Sequence, residues 1–145
     1  MEIYSIGFTQ KSAGEFFGTL KAHGIERLLD VRLNNTSQLA AFAKQADLAY
    51  FLREICGAAY EHEPLLAPTQ DILDAFKKHK GSWEIYEKAF LGLMHARSIE
   101  CALDRSSFAQ RTVLLCSEPT AEHCHRRLVL EYLQNHWEGL QIHHL

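Results

Sequence analysis

The sequence predicts a single α/β domain over residues 1–145, an α/β sandwich with a mostly parallel sheet of about four to five strands flanked by helices. Two observations predict this class. Short apolar stretches alternate with amphipathic stretches in the order β-α-β-loop-α-β-α-α-β-α-β, and helical connections between strands produce parallel pairing. The length of 145 residues fits one domain.

The first unit is a strand, a capped helix and a second strand. Residues 2–7 form the first strand, which ends at a glycine. Ser12 and Glu15 form a capping box that opens a helix, and Gly24 closes it. Residues 27–32 form the second strand, so a right-handed crossover is expected.

A polar loop follows over residues 33–44, and loops of that length are often functional. Asp47 is expected to cap the next helix, which Gly57 stops. Residues 58–62 then form the third strand, just before a proline.

Two further helices separate the third strand from the fourth. Thr69 and Ser82 are their expected N-caps. Residues 111–116 form an apolar fourth strand, and a helix is expected to begin near Thr120. Residues 140–143 form the last strand.

The helix opened by Ser82 carries an aromatic stripe of Trp83, Tyr86 and Phe90 on one face. We expect this stripe to belong to the core, and a homodimer face is the alternative. Cys56 and Cys101 stand in helical contexts without polar neighbours and are also expected in the core.

Composition argues against several classes of function. A net charge of −3 gives no electrostatic case for a nucleic-acid partner. No apolar run approaches the length of a membrane span, and residues 1–4 do not begin a signal peptide. We therefore expect a cytoplasmic protein with no membrane partner, whose four cysteines are free thiols. The sequence indicates no particular cofactor.

Polar side chains collect where four of the predicted strands end. The carboxyl ends of parallel strands meet at one edge, which is where α/β sheets bind their ligands. The residues expected there are Gly7, Asp30, Arg32, Asn34, Glu61, His62, Cys116 and Glu118. This edge is the predicted site.

Residues 116–127 hold two thiols, two imidazoles, two carboxylates and two guanidiniums. At about 100° per residue, the helical phase turns Cys124 and His125 toward the sheet. The same phase puts Arg126 at the margin of that face and sends His123 and Arg127 to solvent.

Catalysis is the sharper interpretation of this segment. Cys116 is a candidate nucleophile, because a thiolate near helix N–H groups and arginines has a lowered pKa; a small buried hydrophobe is the plainer interpretation. His125 is a candidate base that needs a hydrogen-bond partner, for which Asp30 and Glu118 are candidates, and Asp30 is itself a candidate base. A Cys-x5-Arg anion loop is disfavoured because Glu122 stands where the arginine is needed.

Substrate binding is expected from Arg32, Arg126, Asn34 and Gly7. Guanidinium groups and a helix N-terminus suit a phosphate or carboxylate. For both arginines, an internal ion pair with a nearby carboxylate is the alternative.

Four motifs of this chain resemble the motif set of the domain-of-unknown-function 488 (DUF488) family. They are Ile6-Gly7, Asp30-Val31-Arg32, Cys116-Ser117-Glu118 and Cys124-His125-Arg126. The resemblance spans nearly the whole chain, including residues 33–36 and 66–69. The first motif departs from the family pattern that it resembles. Gly7 is followed here by Phe8-Thr9-Gln10, where many members have a sequence similar to His-Ser-Asn or His-Thr. The resemblance implies an α/β fold and supplies no established reaction.

Three functions fit this edge. The first is a small enzyme acting on a small anionic substrate, nucleotide-like or phosphorylated. The second is a ligand-binding or nucleic-acid-binding module without turnover, in which residues 34–44 close over the ligand. The third is a metal-supported interaction domain, because Cys116, Cys124 and His125 supply ligands that suit zinc, although a packed polar cluster uses the same residues.

Overall fold

A computed structural model describes all 145 residues and is built around one sheet. Its strands are β1 (Glu2–Gly7), β2 (Arg27–Asp30), β3 (Ala59–His62), β4 (Thr112–Cys116) and β5 (Gln141–His144). Their order across the sheet is β3-β2-β4-β1-β5, and every neighbouring pair is parallel. The predicted α/β class is confirmed, with a sheet that is parallel throughout.

The helices connect these strands in the predicted order. They are α1 (Ala13–Ala22), α2 (Gln45–Phe51), α3 (Gln70–Lys77), α4 (Trp83–Arg97), α5 (Ile99–Ala102) and α6 (His125–His136). A π-helical turn extends α2, and short 3₁₀ segments occupy Gln38–Ala43, Pro64–Leu66 and Arg105–Ala109. No helix has both the length and the apolar character needed to cross a bilayer.

Local capping signals were good predictors of helix ends. Ser12, Thr69 and Ser82 each accept a hydrogen bond from a backbone N–H in the first turn of their helix. Gly24 and Gly57 take positive φ angles of 64° and 63° just past helix ends, a conformation that glycine adopts without strain.

The helix expected from Thr120 is a wrong prediction, since α6 begins only at His125. Residues 117–124 form an irregular loop instead. Cationic side chains hold its carbonyl groups: Arg126 bonds the carbonyl of Glu118, and Lys11 bonds that of Pro119. Within the expected helix, Arg127 Nε bonds the carbonyls of Ala121 and Glu122, so a side chain takes acceptors that a helix would offer to its own N–H groups.

Two further local predictions need correction. The loop of residues 33–44 ends in the 3₁₀ segment, and α2 begins at Gln45 rather than at Asp47. Cys101 is exposed rather than in the core, because the single turn of α5 turns Ile99 inward and Cys101 outward. Cys56 is half-buried, with its thiol 3.6 Å from the carbonyl of Phe17.

The sheet separates two hydrophobic cores. The larger core, of 20 buried residues, packs α4, α5 and α6 against one face of the sheet. The smaller, of 12 buried residues, packs α1 and α2 against the other. Tyr86 and Phe90 of the aromatic stripe are buried in the larger core, and Trp83 packs against it. The carboxyl ends of all five strands lie at one edge, and the loop after β4 runs across that edge.

Candidate active site

Cys116 and His125 are in contact at the end of β4. The Sγ atom of Cys116 lies 3.5 Å from Nδ1 of His125, and both side chains are buried. Cys116 is the last residue of the strand and His125 is the first of α6, so the loop of residues 117–124 returns the chain to the same place. The structure therefore brings together the two residues that the sequence offers as nucleophile and base.

The orientation of the His125 ring is fixed by a backbone carbonyl. Its Nε2 atom lies 2.6 Å from the carbonyl oxygen of Val31, just beyond β2. A carbonyl only accepts hydrogen bonds, so Nε2 carries the proton and Nδ1 faces the sulfur. Asp30 and Glu118, the partners that the sequence suggested, do not bond this ring, and that prediction is wrong.

Electrostatics favour a charged Cys116–His125 pair. Burial raises the pKa of the Cys116 thiol, but the Cys124 thiol, His125 and the backbone N–H of Glu118 outweigh burial and bring that pKa well below its usual value. Burial lowers the pKa of His125, and Cys116 and the carbonyl of Val31 raise it above its usual value. Each group thus promotes the ionised form of the other.

Cys124 is the third member of this cluster. The Sγ atoms of Cys116 and Cys124 and a ring nitrogen of His125 all lie within 4.8 Å of one another, and all three side chains are buried. Burial and the neighbouring Cys116 raise the pKa of the Cys124 thiol far above its usual value. Two sulfurs and one imidazole are the donor types of a three-ligand zinc site, so these residues have the chemistry to hold a metal.

Asp30 and Arg32 form an internal ion pair instead of opening to solvent. Nε and Nη2 of Arg32 donate to the two carboxylate oxygens of Asp30 at 2.8 and 2.9 Å. The Tyr60 hydroxyl donates to Asp30 at 2.6 Å, and the Asn35 amide donates at 3.3 Å. Asp30 is fully buried and does not touch the Cys116–His125 pair. Its carboxylate is placed to hold Arg32 and the chain after β2 rather than to move a proton.

Arg126 lies inside the protein, not at the margin of the helix face. It is 1% exposed, and it donates to the carbonyl of Glu118 at 2.7 Å and to Ser5 Oγ at 3.2 Å. Gly7 lies beside it on β1, where an added Cβ would stand 1.6 Å from the Glu118 carbonyl oxygen. Arg126 and Gly7 therefore position the loop after β4, and neither lines the pocket.

The Cys116–His125 pair opens into a pocket of about 280 Å³. Leu33, Asn34 and Arg32 form one side of it, after β2. The segment before α3, residues of α3 and α4, and the loop after β4 form the other side: Pro68, Leu73, Phe76, Lys77, Tyr86, Ser117, Glu118, His123 and Cys124. The wall is largely apolar and the rim is charged.

A family model described as "Domain of unknown function DUF488" matches residues 12–133 of this chain. The matched segment includes Asp30, Arg32, Cys116, Cys124 and His125. The chain belongs to the DUF488 family. No curated protein and no solved structure matches it.

In this DUF488 protein, Phe8 follows Gly7, at the position where the motif resemblance led us to expect a histidine. Its ring lies 5.4 Å from the guanidinium of Arg32 and packs edge-on against Phe42. An aromatic face can rest against a guanidinium without a hydrogen bond. The departure from the family motif therefore places an apolar contact beside the Asp30–Arg32 ion pair.

Two charged residues mark the rim of the pocket in this DUF488 protein. Lys77 Nζ and Glu118 Oε1 form an ion pair at 2.6 Å, and both side chains are partly exposed. Asn34 is exposed on the opposite side. His123 is exposed as predicted, although it lies in the loop rather than on a helix, and it stacks on Trp83 with ring centroids 5.0 Å apart.

Sequence reasoning missed Lys77, Phe76 and Tyr86 as pocket residues. Leu73, Phe76 and Lys77 follow the three- and four-residue spacing of a single helix face, which is the one signal for them. That spacing identifies a face but not what it covers, because the packing of α3 over the strand ends depends on contacts distant in the chain.

Proposed function

We propose that this protein is a thiol-dependent enzyme in which Cys116 is the nucleophile and His125 carries the proton. The 3.5 Å contact between Cys116 Sγ and His125 Nδ1 supports the proposal most strongly. With the proton fixed on Nε2, Nδ1 is free to take the thiol proton and to return it to a leaving group. The sulfur lines the pocket, so a small molecule in the pocket meets the nucleophile directly.

The proposed substrate is a small anionic compound, nucleotide-like or phosphorylated. Phe76 and Tyr86 offer an apolar wall for a flat organic group. Lys77 at the rim offers a cation for a phosphate, which would displace the carboxylate of Glu118 from it. Asp30 already balances the charge of Arg32, so Lys77 is the better candidate for the anion.

In this proposal, Asp30, Arg32 and Arg126 are positioning residues. The ion pair of Asp30 and Arg32 holds the chain around Val31, whose carbonyl orients His125. Arg126 holds the loop that follows Cys116.

Alkylation of the wild-type protein tests the nucleophile. With limiting iodoacetamide near neutral pH, we expect Cys116 to be modified ahead of exposed Cys101, as read by peptide mass mapping, because the thiolate is the reactive form. His125→Asn should slow modification of Cys116 by about tenfold or more, since it removes the imidazole. His79→Asn, which changes an exposed histidine just past the end of α3, should leave the rate unchanged. Preferential modification of Cys101 in the wild type would contradict the proposal.

Protection from alkylation tests the substrate class. We expect a nucleoside monophosphate to protect Cys116 from iodoacetamide, and Lys77→Met to weaken that protection. Lys78→Met is the matched control, because its exposed side chain pairs with Asp74 away from the pocket. Equal protection in both variants would remove Lys77 from the binding site. Protection combined with an unaffected alkylation rate in His125→Asn would favour a binding module without turnover.

A zinc-supported site is the second candidate function, and the 4.8 Å cluster of Cys116, Cys124 and His125 favours it. Three protein ligands leave one coordination position, which is typical of catalytic zinc. Elemental analysis of protein purified without a polyhistidine tag separates the two candidates. Stoichiometric zinc that is lost in Cys116→Ala but kept in Cys101→Ala would support the zinc site. The reactive sulfur would then be a metal-bound thiolate rather than a free one.

A further inference from the structure

The proposed reaction leaves one buried thiol of the cluster without a task. Cys124 is 2% exposed and lies at the N-cap of α6, with its sulfur within 4.8 Å of Cys116 Sγ. A nucleophile paired with His125 does not require a second sulfur beside it. Two adjacent thiols, one of them activated, are what reversible disulfide formation requires.

We propose that Cys116 and Cys124 form a dithiol–disulfide couple, with Cys116 attacking a small hydroperoxide and Cys124 resolving the product. This inference rests on the proposed function, because it uses the same activated Cys116. It adds a hydroperoxide as a substrate class of the site and assigns Cys124 as the resolving residue.

The chemistry balances in two steps. The Cys116 thiolate attacks the outer peroxide oxygen, so an S–O bond forms, the O–O bond breaks, and the leaving alkoxide takes the proton of the His125 imidazolium. The Cys124 sulfur then attacks the sulfenic sulfur of Cys116, so an S–S bond forms and the S–O bond breaks. The departing hydroxide leaves with the Cys124 proton as water. The two sulfurs give up two electrons in all, which the peroxide receives, and an external dithiol returns them by exchange.

The fold brings the sulfurs of Cys116 and Cys124 within 4.8 Å of one another and keeps the other two cysteines elsewhere. A disulfide needs its sulfurs about 2.05 Å apart, and the two cysteines are joined by the irregular loop of residues 117–123 rather than by a helix or strand. Cys56 lies against α1 in the region of the smaller core, and Cys101 is exposed on α5. Cys124 is therefore the one thiol placed to reach an oxidised Cys116.

The surroundings of the two thiols differ in the way that the proposed attacking and resolving roles require. Cys116 Sγ lies 3.5 Å from Nδ1 of His125, a group that can accept and donate a proton, whereas Cys124 Sγ has Arg126 Nη1 at 3.9 Å, which can only donate a hydrogen bond. The attacking sulfur is thus the one in contact with His125, and the resolving sulfur gives up its proton in the second step.

Mild oxidation of the full-length protein tests the couple. With one equivalent of hydrogen peroxide, we expect the wild type to lose two hydrogens, a mass decrease of about 2 Da, and to yield a peptide pair joined through Cys116 and Cys124. In Cys124→Ser, a 1,3-dione reagent should trap at least about tenfold more sulfenic acid on Cys116 than in the wild type. Cys101→Ser should behave as the wild type does. Cys124→Ala serves as a second variant if circular dichroism shows that the serine variant is misfolded.

The outcomes separate the two proposals. Suppose that Cys116 of the wild type is alkylated first, but that oxidation forms no Cys116–Cys124 bond. That result would overturn the couple and would still support Cys116 as the nucleophile. Wild-type protein whose Cys116 is not alkylated first overturns the nucleophile and the couple together. Equal trapping of sulfenic acid in the wild type and Cys124→Ser also overturns the couple, as does bound zinc that protects both thiols from peroxide.

Discussion

Gly7 lies where β1 passes under the loop that follows β4, and the loop leaves no room for a larger residue. An added Cβ would stand 1.6 Å from the Glu118 carbonyl oxygen and 2.7 Å from Arg126 Nη1. The carbonyl is backbone and is held by Arg126, so it cannot move aside as a flexible side chain would. The absence of a side chain at this position is what lets the loop close over the end of the sheet.

Gly7→Ala should therefore destabilise the protein. We expect the free energy of unfolding to fall by about 1–3 kcal/mol or more, the usual range for overpacking. The measurement is urea denaturation followed by circular dichroism.

Gly18→Ala is the matched control for that measurement. Gly18 is exposed on α1 and has no atom within 4 Å of the added Cβ, so alanine should raise stability by about 0.5–1 kcal/mol through helix propensity. If Gly7→Ala were as stable as the wild type, the tight approach of the loop to β1 would be in error.

At the scale of elements, the Asp30 network joins β2 to β3 and to the 3₁₀ segment. Arg32 donates to Asp30 and to the carbonyl of Ala43, and Tyr60 of β3 donates to the same carboxylate. Burial raises the pKa of Asp30, but the hydrogen bonds and charge of Arg32, together with the Tyr60 hydroxyl, hold that pKa below its usual value. The network thus ties three segments around one ionised carboxylate.

Acid should loosen this junction. Because the pKa of Asp30 is lower in the folded state than in the unfolded state, its ionisation stabilises the fold fully above about pH 4, the ordinary value of the carboxyl. That stabilisation is lost as the pH falls through the folded-state pKa. Asp30→Asn should lower the free energy of unfolding at pH 7 by about 3–5 kcal/mol, because it leaves the Arg32 charge unpaired. The same variant should lose less stability than the wild type when the solution is acidified.

Unfolding curves measured at several pH values between neutral and about pH 3 give the free energy of unfolding of the wild type and Asp30→Asn as a function of pH. Asp71→Asn, which changes an exposed aspartate on α3, should keep the wild-type slope. Equal losses of stability in the wild type and Asp30→Asn on acidification would show that protonation of Asp30 does not cause the loss of stability in acid.

The elements differ in how well the sequence predicts them. Helix starts at Ser12, Thr69 and Ser82 depend on bonds within one turn, so the sequence predicts them correctly. The late start of α6 goes with side-chain bonds to the loop carbonyls, from Arg127 to Ala121 and from Lys11 to Pro119, and the second of these joins distant parts of the chain. The partner of His125 is a backbone carbonyl, and a carbonyl has no signature in the sequence because every residue has one.

At the scale of the whole molecule, one sheet is shared by two cores. Each core consists of one layer of helices packed on the sheet: α1 and α2 on one face, and α4 to α6 on the other. Neither layer forms a core without the strands. Both tryptophans report on one side only: Trp137 is buried in the larger core and Trp83 packs against it. Convergence of polar residues at one edge was predictable because it follows from parallel strands, whereas the cover that α3 and α4 place over that edge was not.

The two cores should unfold together. Phe16→Ala in the smaller core should lower the free energy of unfolding by about 3–5 kcal/mol, and so should Phe90→Ala in the larger one. Phe16→Ala should shift the tryptophan fluorescence transition, although both tryptophans lie on the other face, because a small domain unfolds as one unit.

Fluorescence and far-ultraviolet circular dichroism should give coincident transitions in each variant. Leu39→Ala, at a side chain that is 95% exposed, should leave the midpoint almost unchanged. A fluorescence transition that Phe16→Ala does not move would show that the two faces unfold independently.

The group that orients His125 belongs to the main chain, and this limits how the site can be altered. A side-chain partner can be deleted by one codon change, but every residue at position 31 still offers a carbonyl to Nε2. Substitution there by any residue except proline changes packing and leaves the backbone hydrogen bonds in place. An ester in place of the peptide would weaken the hydrogen bond, because an ester carbonyl is a poorer acceptor. Removing the bond requires an inserted residue that shifts the end of β2. The path of the backbone thus fixes the proton of His125 on Nε2. We expect this arrangement to persist when the side chains around the ring are varied.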